Sequence, residues 1–145
     1  ERSSRPVSRL PRGDARRAMA GGEAMSAAVG VGCNSQATVA AIVALVREAG
    51  ARAACEISSL HTAREVRSPA LDAAAVELGL TLTRHDLDAL AATRDGVVSH
   101  SERVEALFGV GSLAEAAALA GAGQGAHLIV PKFSADGVSC AAAST

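Results

Sequence analysis

The residues whose types and spacing could do chemistry gather in two glycine-bearing stretches and at one cation. The first stretch is Gly30-Val31-Gly32-Cys33-Asn34-Ser35; the second is Gly109-Val110-Gly111-Ser112-Leu113-Ala114-Glu115; the cation is Lys132, the one lysine of the chain. Gly30 and Gly32 have the spacing that opens a dinucleotide fingerprint. That fingerprint also needs a third glycine for close helix packing and an acid past the second strand for the ribose. Ser35 stands in the place of the third glycine, and the second apolar run closes on Ser58-Ser59-Leu60 with Glu56 inside it. No Gly-Lys-Ser/Thr follows either stretch, so a nucleotide phosphate loop is disfavoured and the glycines read as tight strand-to-helix turns.

Cys33 precedes a predicted helix, where the helix dipole would favour a thiolate. A nucleophile also needs a base, and no motif sends His61, His85, His100 or His127 toward Cys33. A small buried residue closing the turn is the expectation for Cys33. The histidines and cysteines make no metal-ligand spacing, so neither a metal nor a cofactor is expected. What remains is geometric: glycine turns and helix N-termini after strands, where amides can take carboxylates or phosphates, with Lys132 adding one positive charge.

These residues must be positioned by short apolar runs alternating with helical patterns, the organisation of an α/β layer fold. "AVGVG" reads as the first strand. A helix follows, with Ser35 as N-cap, Val39, Ile42, Val43 and Val46 on one face, and an end at Gly50. It carries no charge from Gln36 to Val46, which implies cover on more than one side and leaves room for homo-oligomerisation. "ACEISSL" is a second strand. "SPALDAAAVELG" is a helix with Ser68 as N-cap, Pro69 at its first position and Gly79 past its end. "LTLT" is a third strand, followed by a helical turn capped by Asp86. Two capping boxes start further helices, Ser99 with Glu102 and Ser112 with Glu115, each carboxylate returning to its cap. "AHLIVPK" reads as a buried strand, Asp136-Gly137 as a turn and "VSCAAA" as an antiparallel return, which makes the sheet mixed.

Composition narrows the partners. A chain of 145 residues with 49% hydrophobic content supports one core, and only 1% is aromatic, so that core is built of Ala, Val, Leu and Ile. With no aromatic platforms and a net charge of -1, nucleic acid is disfavoured. Residues 1–25 hold six arginines against three acids, with Pro, Ser and Gly but no apolar periodicity; they are expected to be a disordered extension ahead of a domain over residues 26–145. No apolar run approaches the ~18 residues of a membrane span, and no secretory leader pattern opens the chain, so a cytoplasmic protein without a membrane partner is expected. Three widely spaced cysteines read as reduced thiols.

With "VGVGC", "SERVEALFGVGSLAEAAALAGAGQGAHLIVPK" and "GVSCAAA" together, residues 27–143 resemble the small cobalamin-biosynthesis family that includes CobE and the C-terminal domain of CbiG. The absence of a large N-terminal domain makes the chain look like the stand-alone form. The resemblance implies a three-layer α/β/α sandwich with a mixed sheet of about five strands. It also implies a cobalamin-pathway protein that binds or carries a corrin or precorrin intermediate. The alternatives are a precorrin lactone hydrolase releasing acetaldehyde, or a structural subunit supporting another enzyme of the pathway. Catalytic residues are left unassigned. The ligand-facing set expected on this basis is Gly30, Gly32, Cys33, Asn34, Ser35, Gly111, Ser112, Glu115 and Lys132, with Glu115 mainly a capping-box partner. The chain departs from the family after "GVGC", where Asn34, Ser35 and Gln36 replace basic residues, and after the second strand, where "SSLHTAREVRSPAL" has no clean counterpart.

Overall fold

Small and branched apolar residues alternate through "SAAVGVGC", so an extended strand buries both of its faces, and β1 (Ser26–Cys33) is the centre of the sheet. The computed structural model describes residues 26–145; the extension expected over residues 1–25 lies outside the described residues. β2 (Glu56–Ala63) runs parallel to β1, and β3 (Leu82–His85) runs parallel to β2. On the other side β5 (Val138–Ser144) is antiparallel to β1, and β4 (His127–Ala135) is antiparallel to β5. The order is β3-β2-β1-β5-β4, a five-stranded mixed sheet. Helices α1 (Val39–Ala53) and α2 (Pro69–Leu78) cover one face; α5 (Leu113–Ala122), with α3 (Leu87–Ala91) and α4 (Glu102–Phe108) around it, covers the other. This is the α/β/α sandwich that the family resemblance implies.

The two faces are built differently. Toward α1, β1 and β5 present Val29, Val31, Cys140 and Ala142, which pack with Ile42, Val43 and Val46. The uncharged face of α1 meets the sheet and, on its flank, α2. Toward α5 the same strands present Ala28, Gly30, Ala141 and Ala143, so the helix backbone comes down onto the sheet. A Cβ on Gly30 would overlap the carbonyl of Ala114 and lie 2.6 Å from the amide of Ala118. Gly121, the penultimate residue of α5, lies likewise against the ring of His61.

Several boundaries differ from the sequence expectations. Thr38, not Ser35, caps α1, accepting from Ala41 N–H, because Asn34 first closes a turn in which its Oδ1 accepts from Gln36 N–H at 2.9 Å. The helix also passes Gly50 and stops at Ala54 in the left-handed region. β2 continues through His61, Thr62 and Ala63, whose polar groups are satisfied inside: Thr62 Oγ1 donates to Val31 O at 2.6 Å. His61 Nε2 lies 2.6 Å from Ser59 Oγ and its Nδ1 2.9 Å from His85 Nε2. Burial, then the neighbouring His85, push the His61 pKa down to about 4. β3 begins two residues later than expected. β4 is a half-exposed edge strand rather than a buried one, and it runs on to Ala135, so that Asp136-Gly137 alone make the hairpin turn, both at positive φ as such a turn requires.

Candidate functional site

The carboxyl end of β1, the N-terminal turn of α5, helix α4 and the β4–β5 hairpin surround a groove of about 580 Å³. β1 delivers Gly32 and Cys33, with Asn34 just past its end, to the floor, because the antiparallel β1–β5 pair holds the strand through Cys33 while the parallel β1–β2 register stops at Gly30. Gly111, Ser112, Leu113 and Ala114 open α5 onto it. Ser112 is the N-cap, buried, with its Oγ accepting from Glu115 N–H at 3.2 Å. The N-terminal end of a helix favours negative charge, so this side of the groove is suited to an anionic group. Val104, Leu107 and Phe108 of α4 give an apolar wall, in which Leu107 is 58% exposed. Lys132, Ser134, Asp136 and Ser139 of the hairpin give a polar wall, and Arg103 adds a second cation.

Glu115 frames the groove without lining it. Its side chain is fully buried, and its carboxylate does not return to the cap as a capping box would have it. Oε1 accepts from the backbone N–H of Val98 (2.8 Å) and Ser99 (2.9 Å), while Oε2 accepts from Ser99 Oγ (2.6 Å) and Lys132 N–H (2.9 Å). Burial pushes this carboxyl up, but the donors of Lys132, Ser99 and Val98 outweigh it and hold the pKa below the usual range, so the group stays ionised. One carboxylate thus ties α5 to the strand that carries Lys132 and to the loop ahead of α4. Ser99 is spent on this clamp, and α4 is capped by Ser101, which accepts from Val104 N–H, in place of the expected Ser99. Gly111 fits beneath that loop, where a Cβ would come within 2.6 Å of Ser99 O.

Of the nine residues expected to face a ligand, the fold brings Gly32, Cys33, Asn34, Gly111, Ser112 and Lys132 together around the groove. Gly30 is under α5, Ser35 is exposed beyond the rim, and Glu115 is the buried clamp. Sequence reasoning missed Arg103, the α4 wall and the hairpin residues Ser134, Asp136 and Ser139. The apolar Leu107-Phe108 pair on a helix otherwise written with charges was the available signal for the wall.

No histidine lines the groove: His61 and His85 pair beneath α5, His100 lies 3.5 Å from Glu105, and His127 starts the edge strand. Cys33 is half-buried with a free thiol, and four residues separate it from Thr38, where α1 is capped, so α1 does not start at Cys33. Cys140 lies beneath it, its pKa pushed up to about 12 by burial and then by Cys33. Among the described residues, no three His, Cys, Asp or Glu side chains converge as metal ligands would. Within the same residues, no single helix is long and apolar enough to cross a membrane.

Comparison with known proteins bears on this geometry. The family profile described as "Cobalamin synthesis G C-terminus" matches residues 27–143. CobE, described as a protein from the cobalamin (vitamin B12) biosynthetic pathway, superposes with a TM-score of 0.76 at 26% identity, over 83% of this chain and 91% of its own. Cobalamin biosynthesis protein chiG from Agrobacterium tumefaciens str. C58 gives 0.68 at 32% identity, over 82% of this chain and 98% of its own. No curated protein matches the chain in sequence.

Proposed function

The chain belongs to the cobalamin synthesis G C-terminal family, and on that premise we propose that it binds or carries a corrin or precorrin intermediate in the groove at the end of β1. A cobalamin-pathway protein it is; the ligand is the inference. The observation that carries the reading is the groove's two-sided character. A corrin is a broad apolar ring fringed with carboxylates or amides. Val104, Leu107 and Phe108 offer a surface for the ring, while the N-terminus of α5, Lys132, Arg103 and the hairpin hydroxyls offer partners for the fringe. Gly32 keeps the floor low, since its position meets nothing nearer than Leu113 at 3.6 Å.

The groove supports binding better than turnover. Its acid is Asp136 at the hairpin tip and its thiol is Cys33, and no imidazole stands within it to act as a base. Titration of the protein with a metal-free corrin acid, followed in the visible spectrum, is expected to give a stoichiometric shift without change in the ligand. Catalytic release of acetaldehyde from a lactone-bearing precorrin would replace the carrier by a hydrolase, and no spectral change with any corrinoid would overturn both. Leu107→Asp is expected to weaken binding strongly while leaving the fold intact, because its side chain is exposed in the free protein.

A further inference from the structure

Beside the groove, past the ends of β2 and β3, Arg64, Arg67 and Arg84 surround a second cleft of about 440 Å³ with Pro69 and Asp72. Three guanidiniums there face one carboxylate. Arg84 already holds that carboxylate in a two-pronged pair, Nη1 to Asp72 Oδ1 at 2.9 Å and Nη2 to Oδ2 at 3.2 Å, and its Nε donates to Val66 O at 2.9 Å. The cleft therefore displays, with its own Asp72, the chemistry it takes: a planar fork on a carboxylate. Arg64 and Arg67 are exposed, and neither forms an ion pair among the described residues. Between them in sequence lie Glu65, which is exposed, and Val66, which lines the first groove, so the two cavities take neighbouring residues of one connection.

We propose that Arg64 and Arg67 form a carboxylate-binding annex to the groove, taking free acid groups that extend from a ligand seated on the α4 wall. The proposal rests on the corrinoid reading above and adds to it a preference: a corrin with free carboxylates over one whose side chains are amides. A guanidinium fork gains two charge-assisted bonds from a carboxylate, whereas an amide offers one neutral acceptor and a donor the fork cannot use.

The experiment measures binding of cobyrinic acid, with its free carboxylates, and cobinamide, with amidated side chains, to the whole protein. The same measurements are made on Arg64→Ala/Arg67→Ala, Arg64→Lys/Arg67→Lys and, as an exposed arginine remote from both cavities, Arg47→Ala. The wild type is expected to prefer the acid by about tenfold, a preference that shrinks with added salt, as two partly exposed charge-assisted contacts would give. The double alanine variant should lose most of that preference, the remainder being held by Lys132 and Arg103 in the groove, and keep its affinity for cobinamide; the double lysine variant should recover part of the loss; Arg47→Ala should behave as wild type. If both corrinoids bind and the double alanine variant leaves their ratio unchanged, or weakens both equally, the annex is overturned while the groove stands. If neither corrinoid binds the wild type, the groove reading falls and takes the annex with it.

Discussion

Helix α5 meets the rest of the molecule in two ways. Along its underside it rests directly on Gly30, Ala141 and Ala143, with Gly121 against His61, and no space is left for a further carbon. At its first turn, two residues further along β1, the same strand face carries Gly32, where a Cβ would sit at an ordinary 3.6 Å from Leu113 and the space opens into the groove. The two glycines belong to one motif and one face, yet one is a seat and the other a threshold. A Gly-x-Gly pattern thus combines close helix packing with access, and only the helix above decides which glycine does which.

Removing the clamp should have the largest effect. Glu115→Ala leaves the part-buried N–H groups of Val98, Ser99 and Lys132 without their acceptor and is expected to cost about 3 kcal/mol or more in urea unfolding; a loss below about 1 kcal/mol would mean the seat does not depend on it. Gly30→Ala comes next, at about 3 kcal/mol, because a backbone carbonyl rather than a flexible side chain must move. Gly32→Ala should cost less than about 1 kcal/mol and instead narrow the groove, so equal losses at the two positions would erase the contrast.

The underside should also respond to acid. His61 titrates at about 4 in the folded chain, well below an unfolded histidine, and His85 is lowered in the same direction. The unfolded state therefore binds protons first, and stability is full above pH ~6.5 and falls as the pH drops toward 4, by on the order of 3 kcal/mol for His61. Urea unfolding at a series of pH values reads this loss, and ring resonances of His61 that titrate near 6.5 would refute it. The smallest effect on stability, within about 0.5 kcal/mol, is expected for Lys132→Glu, an exposed position. The same change should weaken binding of a metal-free corrin acid by about tenfold, since it replaces attraction by repulsion.

Much of this architecture was legible in the residues. Apolar alternation and caps marked all five strands, and Ser68, Pro69 and Gly79 bound α2 where expected, because those signals are local. The glycine loops and Lys132 also converge as the sequence suggested. Two of the misreadings share one cause, a polar residue whose partner is distant in sequence, whereas the displaced cap of α1 comes from a local turn at Asn34. Ser59, His61 and Thr62 looked like the end of a strand because nothing nearby showed that His85 and Val31 would satisfy them. Glu115 matched a capping box at N3, yet its true partners lie 16 and 17 residues away. Of the three arginines of the second cleft, Arg64 and Arg67 lie on the β2–α2 connection and Arg84 on β3, and they meet only when β2 and β3 pair.

Three of the four donors that Glu115 gathers are main-chain amides, at Val98, Ser99 and Lys132. A grip on the backbone is indifferent to most of what the side chain at that point happens to be. Position 132 can therefore exchange one residue for another, proline apart, while the strand beneath it stays where it is. The frame and the lining are free to evolve separately: a descendant could change which molecule it holds by rewriting the hairpin, without first having to rebuild the walls.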